Sequence, residues 1–169
     1  MKKAGLLALT SIFILAVMLF AMQSSRATAD EPKLLEFDRM VGNTAAFTGA
    51  TTPIRGINGG GLPWTLTSGF GELKANGELE VTVQGLVLAA GPNTGINPVP
   101  NFRAIVSCYR GDGSIQNILT DLFPATTGAA VNGGGNASME TTVSLPQPCI
   151  APLVFVTSPG GAWFATLGQ

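Results

Sequence analysis

The chain contains no histidine. This removes the commonest general base and the commonest metal ligand. It excludes Ser-His-Asp and Cys-His sites as well. Charge is also scarce, at 11% of residues. The six Lys and Arg of residues 30–169 (Lys33, Arg39, Arg55, Lys74, Arg103, Arg110) are scattered. With ten Asp and Glu, that part carries 6 − 10 = −4. No basic stripe of the kind nucleic-acid binding needs is present. Strong helix patterns are missing beyond the first thirty residues. Aromatic residues make up only 7%.

Cysteine is nearly absent too. Cys108 and Cys149 are the two present, 149 − 108 = 41 positions apart. In an exported chain such a pair is expected to form a disulfide. Two buried free thiols are the alternative. A bond would leave no thiol nucleophile and no cysteine zinc site. Closing a loop of that size is worth about 4 kcal/mol on a denatured-state entropy argument.

One long apolar run exists, Ala4 to Met22, preceded by Lys2 and Lys3. Ala27-Thr28-Ala29 follows with small residues where signal peptidase reads them. The expectation is a signal peptide over 1–29, cleaved before Asp30, and one domain over 30–169. Retention as a single membrane anchor is the alternative, since about 20 apolar residues span a bilayer. No other membrane contact is expected.

What the rest does have is Gly, Pro, Thr and Asn between short apolar runs. That pattern predicts an all-β chain: one antiparallel β-sandwich, with jelly-roll and immunoglobulin-like topologies left open. Phe102 to Arg110 is the most strand-like stretch. Phe102, Ala104, Val106 and Cys108 share one face, and Arg103, Ile105, Ser107 and Tyr109 the other. The mixed second face suits a strand near one end of a sheet.

A hairpin is expected over Phe70 to Leu88. A three-residue loop, Ala75 to Gly77 with Gly77 left-handed, pairs Lys74 with Glu78, Leu73 with Leu79 and Gly71 with Val81. It also sets Glu72 opposite Glu80. A terminal hairpin over Ser158 to Gly161 is expected to pair Val156 with Trp163 and Phe155 with Phe164. Further strands are expected at Leu34–Val41, Ala46–Thr48, Trp64–Ser68, Ile115–Leu122 and Ala137–Leu145. Ala89–Asn101 reads as a Pro-rich crossover, and Phe123–Asn136 as a loop of small residues.

The sequence names no catalytic residue, metal site or cofactor. Glu72 and Glu80 are the one carboxylate pair that could serve a retaining glycosidase. An exposed hairpin face is the simpler account of them. Gly56 to Gly61 is glycine-rich but lacks the Lys-Ser/Thr of a phosphate loop, so a flexible, conceivably ligand-facing turn is expected. Asp112-Gly113-Ser114 has too few oxygens for calcium. Asn136-Ala137-Ser138 is a glycosylation sequon. Trp64, Tyr109 and Trp163 are the candidates for a sugar-stacking platform; core packing is the competing fate of a strand Trp. Tyr109 is the one expected at the surface.

Gly56-Ile-Asn-Gly-Gly-Gly-Leu-Pro-Trp64, Asn97-Pro-Val-Pro-Asn-Phe-Arg-Ala-Ile-Val-Ser-Cys108 and Pro148-Cys-Ile-Ala-Pro-Leu-Val-Phe-Val156 with Gly161-Ala-Trp-Phe164 resemble a group of small exported bacterial proteins of unknown function. The resemblance spans most of residues 30–169. It implies an exported all-β domain and carries no activity, substrate or site residue.

The expected function is thus a non-enzymatic structural or interaction domain, secreted or at the cell surface. A carbohydrate-binding module is the first alternative and a carboxylate hydrolase the second. A surface glycan or a second copy of the chain are the partners in view, and nucleic acid is not.

Overall fold

The computed structural model describes residues 31–167. The expected signal segment lies outside them. Among the described residues, no helix is long and apolar enough to cross a membrane.

The chain is all-β. Its strands are β1 (Lys33–Phe37), β2 (Met40–Gly42), β3 (Trp64–Thr65), β4 (Ser68–Lys74), β5 (Glu78–Gln84), β6 (Val87–Leu88) and β7 (Ile96–Asn97). They continue as β8 (Asn101–Tyr109), β9 (Ile115–Leu119), β10 (Phe123–Pro124), β11 (Gly128–Ala129), β12 (Ala137–Thr142), β13 (Ile150–Thr157) and β14 (Trp163–Leu167). Every ladder is antiparallel. One sheet has the order β1-β4-β5-β12. The other runs β10-β8-β13-β14-β2, with β9 also paired to β8. Two small two-stranded sheets, β3-β6 and β7-β11, complete the fold.

Leu73, Leu79, Val81, Val83 and Met139 from the first sheet meet Phe102, Ala104, Val106, Val154 and Val156 from the second in one apolar cluster. Strict alternation along β5 and β8 produces this. Phe102, Ala104, Val106 and Cys108 are all fully buried on the inner face of β8. β8 lies second from one edge, as its mixed outer face suggested.

The central hairpin forms in the expected register. Leu73 faces Leu79, Gly71 faces Val81 and Glu72 faces Glu80. Gly77 has φ 91°, and its N–H donates to the Lys74 carbonyl at 3.0 Å. Lys74 Nζ meets Glu78 at 2.8 Å. Cys108 and Cys149 are disulfide-bonded with Cα atoms 5.1 Å apart.

The terminal hairpin differs. Ser158 N–H bonds the Ala162 carbonyl at 2.8 Å, so the loop has three residues rather than four. Thr157 then faces Trp163, and a bulge lets Val156 face Ala165 and Phe155 face Thr166. The extra residue sends Trp163 to the outer side, while Phe164 and Ala165 both reach the main core.

Other expected elements shift as well. Leu34–Val41 splits into β1 and β2, one in each main sheet. Ala45–Phe47 is a 3-10 turn rather than a strand. The Trp64–Ser68 strand ends at Thr65, and Ser68 opens β4. The 123–136 loop contains β10, β11 and a second 3-10 turn. The buried Asn97 organises that region: its Nδ2 donates to the Val99 and Thr126 carbonyls, both at 2.8 Å.

Candidate functional site

The two main sheets have very different solvent faces. On the four-stranded sheet, Glu36 faces Glu72, Glu72 faces Glu80, and Glu80 faces Glu140. Four glutamates thus stand in one row across four strands. Cross-strand neighbours lie about 5 Å apart at Cβ, and like charges there are destabilising. Two lysines in the next row offset this. Lys33 Nζ is 2.8 Å from Glu72 and 3.0 Å from Glu36. Lys74 Nζ is 3.7 Å from Glu72. Among the described residues, Glu80 and Glu140 have no ion pair.

These contacts set the titration. The hydrogen bond from Lys33 holds the Glu72 carboxyl below its ordinary range, with Lys74 adding to it. The same pairing pushes Lys33 up. A glycosidase acid needs its pKa raised so that it keeps a proton near neutrality. Glu72 is shifted in the opposite direction. A cleft of about 380 Å³ beside the row is lined by Glu36, Asp38, Phe70, Glu72 and Glu80.

The outer face of the six-stranded sheet is apolar. Ile57, Ile105, Phe155 and Trp163 form a second buried cluster there, with Phe47, Ile54 and Leu153 against it. The segment 43–61 covers part of the face. Gly60 N–H bonds the Trp163 carbonyl at 2.8 Å, and Trp163 N–H bonds the Asn58 carbonyl at 2.9 Å. This explains the glycine run. A Cβ on Gly59 would collide with the Phe47 carbonyl, and one on Gly60 would lie 3.0 Å from the Phe164 ring. The run closes against the protein, so it is not the free loop the sequence suggested.

Arg55 fastens this cover. Its Nη1 donates to the Ser107 carbonyl at 2.8 Å and its Nη2 to the Ala151 carbonyl at 2.7 Å. Its guanidinium stacks over the Tyr109 ring, 4.3 Å from the centroid. Asn117 Nδ2 donates to the Arg55 carbonyl at 3.1 Å. Arg55 and Ala151 both have positive φ, 50° and 47°, which is costly for residues with a Cβ. The register of β13 on β8 shifts between Ile150 and Leu153, and Pro152 has no N–H to give that ladder. Arg55 supplies donors in this irregular stretch, beside the disulfide.

The three aromatic candidates do not come together. Trp64 is 5% exposed and stacks on Phe164, with centroids 3.9 Å apart. Trp163 is 2% exposed and packs near Phe47 and Phe155. Both rings fill cores, so neither can stack on a sugar. Tyr109 is at the surface, at 37%, with one ring face taken by Arg55. Its neighbours are instead aliphatic. Ile150 and Ile115 flank it in register, and they are 47% and 44% exposed. Leu119, two rows on, is 50% exposed. A cleft of about 320 Å³ between the cover and β9 is lined by Gly56, Asn58, Ile105, Asn117, Leu119 and Gly161.

Two of these features escaped the sequence reading. The glutamate row needs the non-local pairings β1-β4 and β5-β12; the hairpin alone reveals only Glu72 and Glu80. Arg55 had one faint signal, a lone cation between Ile54 and Ile57 in a chain with few charges. Asp112 forms a local turn, its Oδ1 accepting from Ser114 N–H at 2.9 Å and from Ser114 Oγ at 2.6 Å. Asn136 of the sequon is exposed, and its Oδ1 accepts from Gly85 N–H at 2.9 Å. Compared with protein-family models, with curated proteins and with solved structures, the chain matches none.

Proposed function

We propose that this chain is an exported, non-enzymatic interaction domain, built as a single sandwich of its two main sheets and acting at the cell surface or after secretion. One observation carries the reading. Ile150, Tyr109 and Ile115 lie side by side on the solvent face of three adjoining strands, each more than a third exposed. A contiguous apolar patch rimmed by polar groups is the usual mark of a contact surface. Arg55 holds the central ring in place, so the patch is presented on a rigid sheet. The disulfide suits an oxidising compartment.

The carbohydrate-binding alternative loses the Trp rings that motivated it. The hydrolase alternative needs one carboxyl that keeps its proton, and Glu72, between two lysines, is unsuited to that role.

The test uses the chain as its producing cells export it. Wild type and the double variant Tyr109→Ser, Ile150→Thr are mixed with the washed envelope of those cells. Saturable depletion of wild type from the supernatant, abolished in the variant, is the expected result. No depletion of wild type, or equal depletion of both, contradicts the reading.

A further inference from the structure

The hydrogen-bond phase of β9 shows which of its backbone groups face outward. Arg110 N–H bonds the Ser114 carbonyl, and Thr120 N–H bonds the Ala104 carbonyl. Hydrogen-bonded pairs alternate along an antiparallel ladder. With the register Cys108–Gln116 and Val106–Ile118, both ends agree that Gln116 and Ile118 bond to β8. The N–H and C=O groups of Ile115, Asn117 and Leu119 therefore point away from the sheet. None of these six has a partner among the described residues.

Exposed edges invite pairing, and natural sheets blunt them with charge, proline, shortness or a cover. The other edges here follow that rule. β12 carries Glu140 of the glutamate row, and β1 carries Lys33 and Glu36. β10 contains Pro124. β2 has three residues, and its Gly42 is pressed against the Trp64 carbonyl. β9, Ile-Gln-Asn-Ile-Leu, has neither charge nor proline.

From this we infer that β9 pairs antiparallel with β9 of a second copy, about a two-fold axis through Asn117. The strand is self-complementary in that register. Asn117 faces Asn117 of the partner subunit, and Ile115 faces Leu119 of the partner subunit. Apolar meets apolar on the outer face. Each Asn117 amide has one N–H on the Arg55 carbonyl and one left for its counterpart. All six outward backbone groups of each strand find partners. No like charges oppose one another within the paired strands, which matters for a domain carrying −4. The two six-stranded sheets become one continuous sheet, and the Ile150–Tyr109–Ile115 row runs on into the Leu119 of the partner subunit.

This names a partner for the interaction domain proposed above and rests on that reading. Sedimentation velocity of the full chain, as processed by its producing cells, tests it separately. Wild type is expected to move from monomer to dimer as concentration rises. Leu119→Lys, at a half-exposed position, is expected to stay monomeric with its disulfide and melting temperature kept. Single-cysteine variants test the register. Asn117→Cys should cross-link to itself. Ile115→Cys should cross-link to Leu119→Cys on mixing and not to itself. A monomeric wild type, or a dimer unaffected by Leu119→Lys and lacking these cross-links, overturns the proposal. A monomer that still binds the envelope leaves the broader reading standing.

Discussion

The two outer faces of this molecule are built from opposite materials. The four-stranded sheet turns glutamate, lysine and threonine to water around one exposed ring, Phe70. The six-stranded sheet turns Ile150, Tyr109, Ile115 and Leu119 outward and buries Ile105, Phe155 and Trp163 against the 43–61 segment. Among the described residues, the first face has no second layer. The second acquires a small core of its own and a cation clamp, while the disulfide closes the inner side of the same sheet. The partly apolar part of this fastened face is the surface that the proposed interaction would use.

The comparison breaks most visibly at the buried aromatics and the disulfide. Phe155→Ala should cost about 3–5 kcal/mol, because it empties the cluster under the cover. Chemical denaturation measures this; a loss below about 1 kcal/mol would mean that the cover is not packed. Cys108→Ser should cost about 4 kcal/mol by chain entropy. The bond joins the end of β8 to the residue before β13, so Ile150–Pro152 should fray first. The terminal hairpin itself keeps five register pairs with β8, Leu153 to Thr157. Fraying confined to that stretch is a narrower outcome than loosening of the whole terminal hairpin. Hydrogen exchange resolves the two.

Arg55 gives an intermediate effect. Arg55→Ala removes two charge-assisted hydrogen bonds and the stack on Tyr109, at a cost of about 1–3 kcal/mol. Arg55→Lys should recover little, since an ammonium cannot reach both carbonyls as a fork does. Full recovery by lysine would reduce the clamp to simple charge.

The smallest effects belong to the glutamate row. Glu80→Gln removes two of the three like-charge contacts and should stabilise by about 0.3 kcal/mol. The pH response sharpens this. Glu72 and Glu78 have folded pKa values depressed by Lys33 and Lys74 respectively. Their stabilisation is present above the ordinary carboxylate pKa near 4.3. It is lost as pH falls through the lower folded value. Lys33 behaves in mirror image, contributing below its ordinary pKa and losing this above its raised one. Wild type should therefore weaken in acid below that range. The double variant Lys33→Met, Lys74→Met should respond with the opposite sign, because protonation then only relieves repulsion. Parallel acid curves for the two proteins would show that the row does not couple electrostatically.

Local pattern carried a good part of this. Alternation along 102–108 placed both faces of β8, and apolar matching fixed the Ala75–Gly77 turn. The two cysteines alone pointed to the disulfide, and Cys108 and Cys149 are bonded. Other features depended on contacts distant in sequence. The bulge at Trp163–Phe164 arises because Trp163 bonds Asn58, so matching strands across the loop gave the wrong register. The two Trp rings were platform candidates against the commoner fate of core packing, and the cover and β3 bury both. The glutamate row became visible only once Glu36 and Glu140 were brought in by other strands. Arg55 acts on Ser107 and Ala151, 52 and 96 positions away.

Residue-resolved hydrogen exchange at low and high protein concentration tests the contrast between the faces most directly. The Ile115, Asn117 and Leu119 amides of β9 should gain protection as concentration rises. The β12 amides that face away from β5, beside Glu140, should gain none. Equal behaviour of the two edges, whether both protected or neither, would contradict the division of the molecule into a solvated face and a contact face.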